Sequence, residues 1–476
     1  MLYSLKIDKQ AGYIYQQIYQ HIKQDILSNH LQAHEKLRSK RKLAEQLEIS
    51  VNSVTSAYEQ LVAEGYIYTK EKQGYYVEEI VSFADAATEA EELPSDLVEQ
   101  RNEEQGVLSF SHMTADVQFF PMNEWLKAQR QAIAEKKSDL ASPAHFQGPY
   151  VVRQTIAALI KESRAVDCEP EQIVIGPGTQ MLIRELTDML EADTVFGMER
   201  PGYHRIYEML KGEFTVQAID LDEDGINVQN INEDVNYLFV TPSHQFPTGV
   251  IMPISRRIEL LNWSIQSPLH YIIEDDYDSE FKYETDNIPS LQSLDHHQKV
   301  IYVGSFSKTL FPGLRISYMV LPPALLRKYR AHHYNRMQDS NLISLYTLHY
   351  FIKSGAYAKH LKRMNNYYEK KRQVLVQHLK NTFAQRITVK DIPAGLHFLA
   401  AFTSPYSYEQ IRQRAYQEKL EIYPITRFLL NQQIENNKTD WIQLVIGFAN
   451  IEIEDIPEAV VRLYHVVCGF RDDGKP

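Results

Sequence analysis

The 476-residue sequence has only two cysteines, Cys168 and Cys468, 300 positions apart. That spacing excludes a disulfide framework and fits a reducing compartment, with both thiols read as structural. No apolar run approaches the roughly 20 residues that a membrane-spanning helix needs, so no membrane contact is expected. The first residues, Met1 to Asp8, lack a basic stretch followed by an apolar core. No secretion signal is therefore read, and a cytoplasmic location is expected. Positive charge is also short: 50 Lys and Arg stand against 62 Asp and Glu, for a net charge of −12. A molecule of that sign is not a nonspecific nucleic-acid binder as a whole. Internal repeats are absent.

The length predicts two or three domains, and the charge is unevenly spread among them. Residues 1–80 hold ten basic and ten acidic residues, so the rest of the chain carries the entire deficit. Within that neutral segment, five of the seven residues from Lys36 to Lys42 are basic. Ile14, Ile18, Ile22 and Ile26 recur every four residues, which predicts an amphipathic helix. A second helix is predicted from an N-cap at Ser39 through Leu47. A third is predicted from Ser50 to about Glu64, with Val54, Tyr58, Leu61 and Val62 on one face. Two aromatic-rich strands follow, Tyr66 to Thr69 and Gly74 to Val77. Three helices and a two-stranded wing describe a winged helix-turn-helix over residues 1–80. In such a module the N-terminal residues of the second helix of the pair meet base edges. Here those are Ser50, Asn52, Ser53 and Thr55. Lys40 and Arg41 are placed for phosphates, and Lys70 and Lys72 for the wing tip. Double-stranded DNA is the expected partner.

Residues 82–106 contain eight acidic residues and one basic residue, Arg101, and read as a solvated linker spanning about 81–106. From residue 107 to 476 the predicted strands alternate with helices: Gln172 to Gly176, Thr194 to Met198, Tyr237 to Thr241, Tyr271 to Asp275, Lys299 to Gly304 and Tyr318 to Leu321. This pattern predicts an α/β body with a mixed, mostly parallel sheet covered on both faces. A long helical stretch, His332 to His378, leads into a small C-terminal α+β region.

Several segments at predicted strand ends carry chemistry. Lys308, within Ser305-Phe306-Ser307-Lys308-Thr309, suits Schiff-base formation with an aldehyde cofactor. The hydroxyls of Ser305 and Ser307, with Arg315, suit its phosphate. Asp275 ends an apolar strand, where it would keep a pyridine nitrogen protonated. Tyr277 would hydrogen-bond a ring phenolate oxygen. Gly178, Thr179 and Gln180 open a helix, and its backbone N–H groups favour phosphate. Tyr203 would stack on the ring, and His244, in Thr241 to Gly249, would sit under the cofactor edge. The pairs His296-His297 and His332-His333 have no ligand partners at metal spacing and read as surface residues, so no metal site is expected.

The run Ser39 to Leu47 with Tyr58-Glu59-Gln60-Leu61 and Glu64-Gly65-Tyr66 resembles the N-terminal domain of GntR-type regulators. Arg38 stands where that family usually has proline, and Val51 where many members have a base-contacting arginine. The body resembles fold-type I aminotransferases that use pyridoxal 5′-phosphate (PLP). The fusion resembles the MocR subfamily, and within it the GabR-like members that sense γ-aminobutyrate. The segments Ser109 to Met113, Pro201 to Tyr203, Thr241 to Pro247, Ile273 to Phe281 and Phe306 to Pro322 carry that match. The resemblance implies that Arg205, Arg427 and His112 bind an ω-amino-acid effector. It implies that this effector forms an external aldimine at Lys308, and that the protein is a head-to-tail, domain-swapped homodimer. Related aminotransferases carry an arginine in the strand near the C-terminus. Here that strand reads Gln443-Leu444-Val445-Ile446-Gly447-Phe448, so ordinary transamination is not expected beyond a residual half-reaction. The alternatives are an active PLP aminotransferase with a localising DNA-binding module, and a regulator that senses PLP itself.

Overall fold

The computed structural model describes residues 7–8, 12–80, 93–98, 106–114, 116–283, 288–390, 393–431 and 441–469. The acidic segment 81–106 lies outside the described residues except for 93–98 and 106. The chain divides into two compact units, Met1–Glu103 and Glu104–Pro476. No described helix is long and apolar enough to cross a membrane.

The first unit contains helices Ile14–Leu27, Lys40–Gln46 and Val51–Ala63 and the antiparallel strands Ile67–Lys70 and Gly74–Val77. Ile18, Ile22 and Ile26 pack with Leu43, Val54, Tyr58 and Leu61 in one core. Val62, expected on the buried face of the third helix, is instead 37% exposed; Ala57, one turn before Leu61, is buried in the core. Ser39 and Ser50 cap the second and third helices, accepting from the N–H groups of Lys42 and Ser53. The Tyr58 hydroxyl donates to the Arg38 carbonyl at 2.9 Å, which ties the turn before the second helix to the third.

The second unit is built on an eight-stranded sheet. In spatial order its strands are Ile173–Gly176, Ser317–Val320, Val300–Ser305, Tyr271–Asp276, Tyr237–Val240, Val195–Arg200, Thr215–Asp222 and Gly225–Ile226. The middle pairings are parallel, while Ser317–Val320 runs antiparallel to both neighbours. Successive residues on a strand face opposite sides. Ile173 and Ile175 therefore enter one core with Ile156, Trp125 and Phe351, and Val174 enters another with Leu182, Phe196 and Ile206. Strand Thr215–Asp222 was not expected: it lies near the sheet edge, and only Ile219 of its residues is buried.

The expected helical stretch from His332 to His378 is three helices, Pro323–His333, Leu342–Lys353 and Ala356–Phe383. Gly355, with φ +76°, makes the second break. His333 is not a surface residue: it is 1% exposed, and its Nε2 lies 2.9 Å from the Glu185 carbonyl. A smaller sheet, Ile387–Lys390, His397–Thr403, Trp441–Gly447 and Tyr423–Pro424, follows the long helix.

Candidate functional site

One cavity opens at the carboxyl ends of the parallel strands, the place where ligands bind in open α/β sheets. Most of its wall is a strand end or the turn after it. Strand Ile173–Gly176 runs into Gly178, which has φ +123° and starts the helix carrying Thr179 and Gln180. Arg315 crosses directly over this turn: a Cβ on residue 178 would sit 2.2 Å from its Nη2, so only glycine admits the guanidinium. Tyr203 and Arg205 come from the turn and helix after Val195–Arg200. Asp275 and Tyr277 come from the end of Tyr271–Asp276, and Ser305, Ser307 and Lys308 from the end of Val300–Ser305. All of these residues line the cavity, together with His112.

Two neighbouring carboxylates behave differently. Asp276 Oδ2 meets Arg164 at 2.7 Å and accepts from the Tyr302 hydroxyl at 2.5 Å. Asp275 faces the other side without such an ion pair among the described residues; the Oδ1 atoms of both carboxylates have no hydrogen-bond partner among them. Burial, with the nearby charges of Asp276, Asp278 and Glu199, pushes its carboxyl up to about 8. The site thus holds a carboxyl group that lacks a cation. Glu199, bonded by the Thr241 hydroxyl at 2.6 Å, is pushed up by burial to about 7.

The Lys308 amine donates to the carbonyl of His112. Burial lowers it to about 8, opposed by the charge of Asp278. A lysine poised near neutrality loses its proton readily, which a Schiff-base amine requires. The His112 ring packs edge-on against Tyr423 at 4.8 Å and Phe428 at 5.4 Å and tilted against Phe246 at 5.1 Å. Burial first, then Lys308, Arg427 and Arg205, lowers it to about 3, so it is neutral.

Two expected residues stand apart from the cavity lining. His244 is buried behind it, its Nδ1 against Asp278. Arg427 is exposed and lies over the Tyr423 ring at 5.2 Å. Residues that the sequence reading missed also line the cavity, among them Phe246, Thr241 and His397. His397 begins a strand of the small sheet after the glycine turn at Gly395. A lone histidine in an apolar strand gives no signal of its own in one sequence.

On the first unit, Arg41, Asn52, Lys70 and Lys72 are exposed, and Lys40 and Thr55 are half-buried. The Ser50 hydroxyl oxygen accepts from Ser53 N at 3.1 Å and meets the Ser53 hydroxyl at 2.9 Å, so both serines serve the cap. Lys70 lies over the Tyr76 ring at 4.7 Å on the wing. Val51 is 43% exposed at the start of the third helix, which puts an apolar side chain beside Asn52.

Residues 14–77 match the family of bacterial regulatory proteins, gntR family, and residues 104–463 match aminotransferase class I and II. The chain is 36% identical over 456 residues to the HTH-type transcriptional regulator YdeL of Bacillus subtilis, covering 94% of this chain and 96% of that one. It is 28% identical over 498 residues to the probable rhizopine catabolism regulatory protein MocR of Rhizobium meliloti, covering 99% and 97%. The solved structure of LysN, the α-aminoadipate aminotransferase of Thermus thermophilus, complexed with N-(5′-phosphopyridoxyl)-L-leucine, shares the fold. Its TM-score is 0.67 at 24% identity, over 76% of this chain and 92% of that one.

The cofactor of class I and II aminotransferases is PLP, and the cavity fits it. The Asp275 oxygen, which has no hydrogen-bond partner among the described residues, would face the pyridinium. Arg315, the serine hydroxyls and the Gly178 turn, where a Cβ would meet the guanidinium, would hold the phosphate. Lys308 would supply the amine. A gntR module and an aminotransferase class I and II body on one chain, matched to such regulators over nearly its full length, make this protein a MocR-type member of the GntR family of transcriptional regulators.

Proposed function

We propose that this regulator senses a short ω-amino acid, with γ-aminobutyrate the leading effector, at Lys308. Lys308 would hold PLP through its amine, and PLP would supply an aldehyde group reactive toward an effector amine. The chain's own residues do the recognition. Arg205, at the cavity wall, receives the carboxylate. Arg427, now over Tyr423, turns inward to join it, and neutral His112 packs between them without adding charge. The observation that carries this reading is the pairing of a cation at Arg205 with a final strand, Trp441–Gly447, that contains no arginine. An α-carboxylate close to the amine lacks its usual clamp, whereas a longer chain reaches Arg205.

In the same proposal the first unit reads an operator. Lys40 and Arg41 bind phosphates, Asn52 and Thr55 meet base edges, Ser50 and Ser53 hold the helix start, and Lys70 and Lys72 reach from the wing. The protein acts as a head-to-tail, domain-swapped homodimer. The exposed apolar residues Met122, Leu126 and Ile133 on helix Met122–Glu135 support burial against a second copy. An effector with different affinity for two arrangements of that dimer changes DNA binding by their difference.

A second reading, a working aminotransferase, is favoured by one observation. Lys308, lowered to about 8, suits a general base for a proton shift. The deciding experiment is an absorbance titration of the PLP-loaded protein with γ-aminobutyrate and with α-amino acids. A band shift with γ-aminobutyrate alone, with no turnover when a keto acid is added, supports the sensor. Sustained turnover establishes the enzyme. No shift with any amine, together with DNA binding that follows PLP itself, leaves a PLP sensor.

A further inference from the structure

Behind the cavity lies a group of polar side chains that the proposed function does not use. His244 and Asp278 are both buried, at 2% and 1% exposure. The His244 Nδ1 stands 3.2 and 3.1 Å from the two Asp278 carboxylate oxygens. The Leu396 N–H donates to the same carboxylate at 3.1 Å. Gly395 backs directly onto the pair: a Cβ there would lie 2.2 Å from Nδ1 and 2.6 Å from Asp278 Oδ2. A glycine at φ +70° is what lets the chain pass so close.

A ring nitrogen that faces a carboxylate carries the hydrogen. Nδ1–H therefore points at Asp278, and Nε2, which has no hydrogen-bond partner among the described residues, is the bare nitrogen. The third member is Tyr277. Its hydroxyl donates to the His244 carbonyl at 2.9 Å and lies 3.1 Å from Nδ1. Burial holds that phenol well above its usual range, reinforced by Asp278, Asp275, Glu199 and Asp276. On its other sides stand the His397 ring, 6.3 Å away and nearly parallel, and Lys308 across the cavity. Tyr277 thus keeps its single hydrogen. With Nδ1 already protonated, the imidazole cannot take it.

We propose that Asp278 and His244 are positioning residues: the carboxylate pins the imidazole tautomer, so that the Tyr277 hydrogen, which rests on the His244 carbonyl, turns to the ring phenolate of PLP and is not captured by the imidazole. The proposal rests on PLP being held at Lys308. A phenolate that accepts this hydrogen bond shares less of its charge with the neighbouring imine. The imine then releases its proton at lower pH. His397 and the pair together offer ligand atoms within 4.8 Å of one another, the makings of a cation site. However, the Asp278 carboxylate is already engaged by His244 Nδ1 and the Leu396 N–H, and Lys308 adds positive charge at His397.

The test is an absorbance titration of the PLP-loaded protein, which reads the proton on the Lys308 linkage without any turnover. Tyr277→Phe sets the midpoint for a lost hydrogen bond. Asp278→Asn presents an amide N–H to Nδ1 and turns that nitrogen into a competing acceptor. Its midpoint is expected to rise by about one pH unit, a tenfold gain in proton affinity, toward that of Tyr277→Phe. His244→Asn keeps an N–H facing Asp278 and is expected to stay near wild type. Nitrogen-15 NMR of the histidine rings in the wild-type protein reads the tautomer without any substitution, and Nδ1–H is expected at His244. An unshifted Asp278→Asn midpoint, an Nε2–H tautomer, or a spectrum that responds to a chelator overturns the proposal. So does loss of PLP from both the Asp278→Asn and His244→Asn variants, which marks the pair as mere packing. A wild-type protein with no absorbance band at all strikes PLP binding itself, a result distinct from each of these.

Discussion

Arg41, Lys70 and Lys72 of the first unit sit exposed on short elements, while Asp275, Glu199 and Glu274 of the second are buried at strand ends. The contrast is one of dielectric. An exposed cation meets a phosphate at little desolvation cost, and salt screens the meeting. A buried carboxyl resists ionisation until a ligand brings the opposite charge. The first unit is thus built for contacts that ionic strength tunes, and the second for contacts that proton and ligand occupancy tune. The proposed sensor uses both kinds of charge, kept apart in the sequence.

The largest expected effect breaks the second half of that contrast alone. Lys308→Ala removes the one lysine amine that lines the cavity among the described residues. The absorbance band of bound PLP should vanish, and the response of DNA binding to amines with it. DNA affinity without effector, measured by anisotropy, should stay within about twofold, because among the described residues Lys308 shares no partner with the residues of the first unit.

Asp275→Asn should come next. The variant exchanges a charge-assisted hydrogen bond for a neutral one, and PLP retention in dialysis should weaken by about ten- to a hundredfold. The same residue sharpens the contrast through pH. Glu199 and Glu274 are pushed up to about 7 by burial, and Asp275 and Glu280 to about 8. Each folded-state value lies above the unfolded one, so the folded form binds protons the unfolded form has released. The stability this contributes is complete below the unfolded carboxyl range, about pH 4, and is lost as pH rises through 7 and 8. PLP-free protein should therefore melt at lower temperature at pH 8 than at pH 6.5. PLP binding or Asp275→Asn should flatten part of that slope. Glu64 in the first unit is lowered by its hydrogen bond from Tyr19, so its sign is opposite: its contribution is lost as pH falls.

How far the sequence foretold this arrangement depends on whether a signal was local. The strands ending at Gly176, Asp276 and Ser305 are apolar runs with turn residues after them. Their positions, and with them those of Asp275 and Lys308, could be read directly. Strand Thr215–Asp222 could not, because its mostly half-exposed residues dilute the alternation. The Gly355 break was hidden by helical pattern on both sides. Arg427 was assigned by resemblance, and the structure places it over Tyr423, outside the cavity lining. His397 and the Asp278–His244 contact were invisible for a different reason. His244 and Asp278 stand 34 positions apart on separate turns, and His397 belongs to the small sheet. Pairing of strands Tyr237–Val240 and Tyr271–Asp276 sets the turns of His244 and Asp278 side by side, and His397 meets His244 from the small sheet, its ring 4.7 Å away.

In the first unit, removal of single cations should act on salt dependence. Lys40→Ala and Arg41→Ala should each weaken binding across all sequences and reduce the slope of log K against log salt by about one. The PLP spectrum should not move. A variant that changed operator preference instead would show that these side chains read bases, and the assignment of Asn52 and Thr55 would need to be redrawn.

The smallest expected effect separates the two roles open to the serines. Ser50 accepts the Ser53 N–H at 3.1 Å, a shorter cap than the 3.4 Å bond from Lys42 N to Ser39. Removing a serine N-cap costs about 1 kcal/mol, and an orphaned N–H at a helix start frays the first turn. Ser50→Ala should therefore speed amide hydrogen exchange at the start of helix Val51–Ala63 in the full chain without DNA, and Ser39→Ala should do less at helix Lys40–Gln46. If Ser50 instead serves DNA, exchange stays as in wild type while operator affinity falls. The cap geometry favours the first outcome, because one hydroxyl oxygen that already accepts from Ser53 N and shares a bond with the Ser53 hydroxyl has little left to offer a base.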